Sequence, residues 1–306
     1  MNIMQLVEEF VKHKPVLGYK YRVQNSLLRS YAVFAQNCGD NFITVDRVLE
    51  WSREALSAPQ TRNRLLTVRR FALSAHADDP MHQIPPADAF GGSSYRRRRP
   101  YIYTTAELGK LQQRTLLMTP SGSVRPLTFH TLITLLWVSG LRISEALALD
   151  IDDITADGLL IRATKFRKDR LVPIHHSTSR ALDRYLSNPG RLKVAKDKSV
   201  FISTLGTRLA YSTAISGFLE VIRSAGLRGK AGQPGPCLYD FRHAFAVRSL
   251  QQCPACTQAV NRHMVALSTY LGHAHITDTY WYLEATPALT RQIATVTENW
   301  YSKVQS

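Results

Sequence analysis

Apolar residues recur at intervals of three and four through most of the chain, the period of an amphipathic helix. Ile3, Leu6, Val7, Phe10 and Val11 form one stripe, and Leu27, Leu28, Tyr31 and Phe34 a second. In TRNRLLTVRRFALSAH the same period turns Leu65, Val68 and Ala72 inward and leaves Arg62, Arg69 and Arg70 largely outward. These stripes predict a small helical bundle over residues 1–84. Between His82 and Arg99 the composition changes to Pro, Gly, Ser and Asp and ends in Tyr95 followed by Arg96, Arg97, Arg98 and Arg99. That stretch predicts a basic linker over 85–100. Thr104 followed by Glu107 has the pattern of a capping box and opens a second domain, 101–286.

The second domain is mostly helical, with one signal of period two. LLIRAT (159–164), the polar turn KFRKD and RLVPI (170–174) predict a hairpin, and VFIS (200–203) is a candidate further strand. Helices are expected around 211–225, 239–250, 264–271 and 287–300. The fold class is therefore mainly α with a small β-sheet.

Charge narrows the partners. Lysine and arginine outnumber the acidic residues 39 to 23, for a net charge of +16 and a pI near 9.9. That excess fits a polyanion, nucleic acid before a membrane surface. No apolar run reaches the roughly 18 residues needed to span a bilayer, and the acidic start MNIMQLVEEF lacks the basic flank of a signal peptide. A cytoplasmic protein, nucleoid-associated when bound to DNA, is the expectation. Four cysteines are too few and too scattered for a disulfide framework. Cys253 and Cys256, near His263, have the spacing of half a zinc site, but no second pair completes it. Neither metal nor cofactor is expected, and no Gly-rich phosphate loop supports nucleotide binding.

Within the second domain Arg142 (SGLRISEAL), Lys165, Arg242 (YDFRHAF), His273 (LGH) and Tyr282 fall at element ends. Three cations, an imidazole and a phenol suit one chemistry. Charge that develops on a phosphodiester under attack can be held by arginine forks, a lysine or histidine can protonate the departing sugar oxygen, and a phenol can attack phosphorus. Each residue also has a plainer use: Arg142 could pair with Glu145, Lys165 could be an exposed turn lysine, Arg242 could pair with Asp240, and His273 could cap a helix, with His275 as a rival. Spacing alone does not order these residues into a site.

The motifs SGLRISEALAL, TKFRKDRLVPI, LYDFRHAFAV and LSTYLGHAHITDTYWYLEATP, in that order, resemble those of the tyrosine recombinases of the phage-integrase family. The resemblance covers nearly all of the second domain. It implies an N-terminal helical core-binding (SAM-like) domain and a C-terminal catalytic domain around a DNA duplex. Site-specific cutting and rejoining would pass through a covalent 3′-phosphotyrosine, without cofactor. The resemblance implies Arg142, Lys165, Arg242 and His273 as the phosphate-binding and proton-transferring set. It places the nucleophile nine residues after the LGH histidine, at Tyr282. Successive helical residues turn by about 100°, so Tyr280 and Tyr282 point about 160° apart and only one can enter the site. The family's second arginine box usually begins with histidine, where this chain has Tyr239; a hydrogen-bond donor is implied there, and a poor base at neutral pH. His243, next to Arg242 and so turned about 100° away on a helix, is read as an unlikely substitute.

The implied partners are double-stranded DNA and further copies of the chain, as a tetramer on synapsed DNA with or without sister recombinases. The phrase TYWYLEATP resembles recombinases encoded by transposons, which implies integration or excision of a mobile element. Arg62, Arg69, Arg70 and Arg96 to Arg99 are the candidate DNA-backbone contacts. The tail 287–306, with Leu289, Ile293, Val296 and Trp300 on one stripe, is a candidate for exchange between protomers. Two alternatives stay open: a non-catalytic DNA-binding regulator, and DNA relaxation resembling the type IB topoisomerases.

Overall fold

The computed structural model describes residues 2–14, 21–91, 100–162, 169–230, 232–252, 257–273 and 275–284, with only the backbone considered at a few of these. The chain divides into two compact units, Met1–Arg97 and Arg98–Ser306.

The first unit holds four helices: α1 (Ile3–Lys12), α2 (Arg22–Asn37), α3 (Val45–Arg53) and α4 (Ala58–Asp78). Local chemistry sets where two of them begin. Asn2 and Gln5 form a reciprocal capping box at α1, and the Thr44 hydroxyl accepts from the Arg47 amide at α3. Ile3, Val7, Leu28, Tyr31, Leu65, Val68 and Ala72 are buried in one core, as the stripes require. Residues 85–91, expected as the start of the linker, instead pack on this unit. Ala89 and Phe90 lie against the core, and the Pro85 and Gly91 carbonyls accept from Arg69 and Arg62. An aromatic inside a Pro- and Gly-rich stretch gives that stretch something to bury.

The second unit begins with α5 (Thr105–Leu116), which carries the Thr104–Glu107 capping box. Then come α6 (Arg125–Ser139), α7 (Ile143–Ala148), β1 (Ile154–Thr155), β2 (Gly158–Ile161), β3 (Arg170–Val172), α8 (His176–Leu186) and α9 (Pro189–Val194). The last four are α10 (Tyr211–Ser224), α11 (Asp240–Gln251), α12 (Thr257–Leu271) and α13 (Thr277–Glu284). The hairpin forms as expected, antiparallel, with Leu159 opposite Val172 and Ile161 opposite Arg170. Residues 200–203 do not join it. The third strand is Ile154–Thr155, and the 200–203 segment makes only an isolated bridge, Ile202 to Arg208. Val200, Phe201 and Ile202 are all fully buried, so an apolar run that reads as a strand is a core-filling turn. The last helix expected, 287–300, lies outside the described residues.

The helix ends matter most for function. Helix α6 stops at Gly140, whose φ of +61° places it in the left-handed region, and α12 is followed by Gly272 at φ +65°. Across the core, α11 and α12 bury Ala246, Val247, Leu250, Met264, Leu267 and Leu271 together with Tyr282 of α13.

Candidate active site

The turn at Gly140 sends the chain into α7 with Arg142 at its N-cap, where the Arg142 amide donates to Glu145 Oε2 at 3.0 Å. Arg142 Nη1 donates to Glu145 Oε1 at 2.8 Å, so the pairing expected as its plainer use does form. The remaining bonds of its fork are long: Nη1 to the Leu271 carbonyl at 3.5 Å and Nη2 to the Gly272 carbonyl at 3.4 Å. Arg242, in the first turn of α11, is 1% exposed. Its Nη1 donates to the Gly140 carbonyl at 3.0 Å and its Nη2 to the Leu271 carbonyl at 2.6 Å. It does not pair with Asp240, whose carboxylate accepts from the Tyr101 and Cys237 amides.

A third arginine joins them. Arg170 of β3 donates from Nε to the Tyr270 carbonyl at 3.1 Å and grips Glu145 with both terminal nitrogens, at 3.0 and 2.8 Å. Three guanidinium groups from three elements thus meet the last carbonyls of α12. A peptide carbonyl satisfies a donor but does not cancel its charge. With Glu145 as the facing carboxylate, the cluster of Arg142, Arg170 and Arg242 carries three positive charges against one negative, or +2. Buried charge of one sign calls for an anion.

The shifts in proton affinity follow from this field. Burial pushes the Glu145 carboxyl upward, but Arg170 and Arg142 outweigh it and bring the value down to about 2. Burial, reinforced by Arg242 and Arg142, lowers His273 to about 4, so its imidazole is neutral. Burial and the neighbouring Arg142 also lower Arg242.

His273 shares a hydrogen bond of 2.8 Å between Nδ1 and Thr279 Oγ1. Thr279 is buried in the first turn of α13, and three residues later comes Tyr282, 2% exposed. The ring of Tyr282 stacks on His273 at 6.0 Å. Burial raises its phenol above the usual tyrosine value, and the charge of Arg242 opposes that rise. His275 is exposed. Arg142, Arg242, His273 and Tyr282 therefore come together. Lys165, the side chain of Tyr280, Arg96 to Arg99, and Cys253 with Cys256 lie outside the described residues. His263 Nε2 bonds Ser249 Oγ at 3.0 Å, and among the described residues no cluster of metal-ligating side chains occurs.

Residues 108–288 match the profile of the Phage integrase family, and the chain is 37% identical over 297 residues to an integrase/recombinase of Sinorhizobium fredii named y4rB, covering 94% of each. The chain belongs to the phage integrase family. It is a tyrosine recombinase by this membership. The tyrosine recombinase XerD of Mycobacterium tuberculosis is 30% identical over 248 residues, covering 78% of this chain and 74% of the relative. A lambda integrase tetramer bound to a Holliday junction has the same fold, with a TM-score of 0.64 at 16% identity, covering 92% of this chain and 77% of that one.

Within this recombinase, two residues near the nucleophile candidate escaped the sequence reading. His243 turns about 100° from Arg242 along the helix, yet its ring lies edge-on to Tyr282 at 5.4 Å and to Tyr239 at 4.8 Å. The site wraps around two faces of α11. The signal was the spacing of Tyr239 and His243, which places the two rings on one helix face. Arg170 belongs to the hairpin, outside the phosphate-binding set that the motifs imply. Period two puts it on the same face as buried Val172 and opposite buried Ile161, so its charge had to point inward.

The candidate DNA-backbone arginines sit in the other unit, along α4. Arg62 Nη1 donates to the Gly91 carbonyl at 2.9 Å and Arg69 Nη1 to the Pro85 carbonyl at 2.5 Å. Both brace residues 85–91, while Arg70 is exposed.

Proposed function

We propose that the recombinase cuts and rejoins duplex DNA with Tyr282 as its nucleophile. The observation that carries this reading is the partly buried cluster of charge +2 at the end of α12, adjoining an imidazole and a buried phenol. Arg142 and Arg242 hold the non-bridging oxygens of the scissile phosphate, where negative charge builds as the phosphorus is attacked. The Tyr282 oxygen forms a bond to phosphorus, the bond to the 5′ sugar oxygen breaks, and the 3′-phosphate remains on the tyrosine. The phenol proton passes to a base, and Lys165 protonates the leaving oxygen. His273, kept neutral and held by Thr279, donates a hydrogen bond to the phosphate, and Tyr239 is a further donor. A 5′-hydroxyl from a second duplex reverses the step, so the bond energy is conserved and no nucleotide is consumed.

Double-stranded DNA is the substrate, and four copies act together on synapsed DNA, with or without sister recombinases. The reaction serves integration or excision of a mobile element, in the cytoplasm at the nucleoid. The four linker arginines Arg96 to Arg99 and the exposed Arg70 follow the DNA backbone. The tail 287–306 docks on the neighbouring protomer.

The test is covalent trapping on a nicked suicide duplex. Tyr282→Phe should abolish the adduct and leave half-site binding within about twofold, since it removes one oxygen and no charge. Tyr280→Phe should form the adduct normally. An adduct that survives in Tyr282→Phe and vanishes in Tyr280→Phe would place the nucleophile one residue pair earlier. Products joining two duplexes distinguish recombination from relaxation of a single one.

A further inference from the structure

Arg170 has a different environment from the other two arginines. Its side chain is 13% exposed and that of Glu145 9%, against 27% for Arg142. Three of its five donors are engaged, two of them bidentate on Glu145. A phosphate that took this fork would leave the Glu145 carboxylate buried against an approaching anion. Arg142 instead offers a more exposed fork whose carbonyl bonds are 3.5 and 3.4 Å long and readily exchanged. One arginine is free to turn toward a phosphate and the other is committed to the protein.

What Arg170 holds is specific. Glu145 is the partner of Arg142 at 2.8 Å, so the Arg170–Glu145 fork fixes the residue that aims Arg142. The Nε bond to Tyr270 fixes the last turn of α12, just before Gly272 and His273, which in turn bonds Thr279 on the helix that carries Tyr282. Gly272 fits this arrangement closely. Its φ is +65°, and a Cβ there would stand 2.8 Å from Arg170 Nη1, so the guanidinium lies flush on a turn that has no room for a side chain. Arg170 also begins β3, five residues after Lys165 in the sequence. One side chain thus ties the hairpin, the first arginine and the histidine–tyrosine segment together.

We propose that Arg170 is a positioning residue for strand cleavage: it registers Arg142, His273 and Tyr282 against one another and makes no contact with the scissile phosphate. This rests on Tyr282 being the nucleophile. A displacement of the reacting groups on the order of 1 Å costs about 10²-fold in rate, whereas binding of the rest of the duplex is unaffected.

The experiment compares wild type, Arg170→Lys, Arg170→Met and Arg170→Met/Glu145→Gln on a nicked suicide duplex. The readouts are half-site affinity at several salt concentrations, the single-turnover rate of adduct formation from pH 5 to 8, and thermal melting. Arg170→Lys keeps the charge and loses the fork, and should cleave about 10²-fold more slowly with affinity within about threefold and an unchanged salt slope. Arg170→Met should add an acid limb to the rate. Glu145 is faced by Arg142 from the start of its own helix, Arg170 from β3 and Arg242 from α11, and losing Arg170 lets burial raise its carboxyl into the assay range. That limb should disappear in the double variant, which separates it from titration of His273. A salt slope smaller by about 0.9 in Arg170→Met would mean a phosphate contact and overturn the proposal, as would full-rate cleavage by Arg170→Lys. Cleavage and affinity falling together with the melting temperature would reduce Arg170 to a structural role and also overturn it. The adduct of wild type, lost in Tyr282→Phe, checks the nucleophile separately: without that loss the functional reading itself fails.

Discussion

The arginines of α4 and those around α12 are both hydrogen-bonded to main-chain carbonyls, yet they create different fields. Arg62, Arg64 and Arg69 reach three different carbonyls, of Gly91, Trp51 and Pro85, and lie partly exposed along one helix. Water screens them from one another. Arg142, Arg170 and Arg242 converge on one helix end, where α12 turns its negative dipole toward them. There the charges add, and Glu145 cancels only one. Convergence and burial, more than the number of basic residues, make an anion site. The parallel extends to the acceptors, because Gly91 and Gly140 are both left-handed glycines whose carbonyl receives an arginine.

The largest effect should come from removing one arginine of each kind. Arg242→Ala should lower adduct formation about 10³-fold at saturating DNA, the size seen when one preorganised donor to a developing charge is lost. It also takes the donor from the Gly140 carbonyl and leaves the Leu271 carbonyl only the 3.5 Å bond from Arg142, a loss of about 1–3 kcal/mol that a melting curve would register. Arg62→Ala should leave the saturated rate unchanged. Comparable losses of rate in the two variants would erase the distinction between the units.

The two glycines give the next contrast. A Cβ at Gly140 would lie 2.5 Å from Phe245 Cδ1, whereas one at Gly91 would meet nothing within 4 Å. Gly91→Ala should therefore cost only the left-handed backbone, about 1–2 kcal/mol. Gly140→Ala adds a clash to the same backbone cost and moves the carbonyl that holds Arg242. It should melt earlier than Gly91→Ala and cleave at least about tenfold more slowly, with the rate of Gly91→Ala unchanged.

Two histidines carry the comparison into pH. Burial lowers His82 in the first unit, with Asp79 opposing the change. Burial together with Arg242 and Arg142 lowers His273 to about 4. Between about 4 and the ordinary 6.5 the unfolded chain binds a proton at His273 and the folded chain does not, so this histidine withdraws stability as pH falls through that window. Arg142→Gln should raise the His273 midpoint in an NMR titration and leave that of His82 in place. An unmoved His273 would show that Arg142 contributes nothing to its shift, and a moved His82 would show that the variant acts beyond its own site.

Periodicity made the helices of the first unit legible because a stripe such as Ile3, Val7 or Leu65, Val68, Ala72 has one buried face and one exposed one. It failed at residues 200–203, where the segment is buried on every side and alternation carries no information. The site residues were legible as a set only through the family motifs, since Arg142 and His273 are 131 positions apart in the sequence. Their common address, the carbonyls of Tyr270, Leu271 and Gly272, is a tertiary fact that no local pattern encodes. His243 and Arg170 were within reach of local rules. An i,i+4 aromatic pair and an inward-facing charge in a strand are both visible in the sequence, although the family motifs assign a role to neither residue.

The smallest effects belong to single arginines of α4. Each backbone contact that neutralises one phosphate contributes about 0.9 to the slope of log affinity against log salt. Arg70 is exposed, while Arg62 and Arg69 are already bonded to residues 85–91. If brace and backbone contact are alternative uses of a guanidinium, Arg70→Ala should lower the slope by about 0.9 with no change in melting. Arg62→Ala should lower the melting temperature of the first unit slightly and leave the slope nearly intact. The carbonyl bond leaves the positive charge of Arg62 in place, so a braced arginine could still attract a nearby phosphate through space. Equal slope changes for Arg62→Ala and Arg70→Ala would show that the charge of α4 acts as a whole, and that bracing and DNA contact coexist on one side chain.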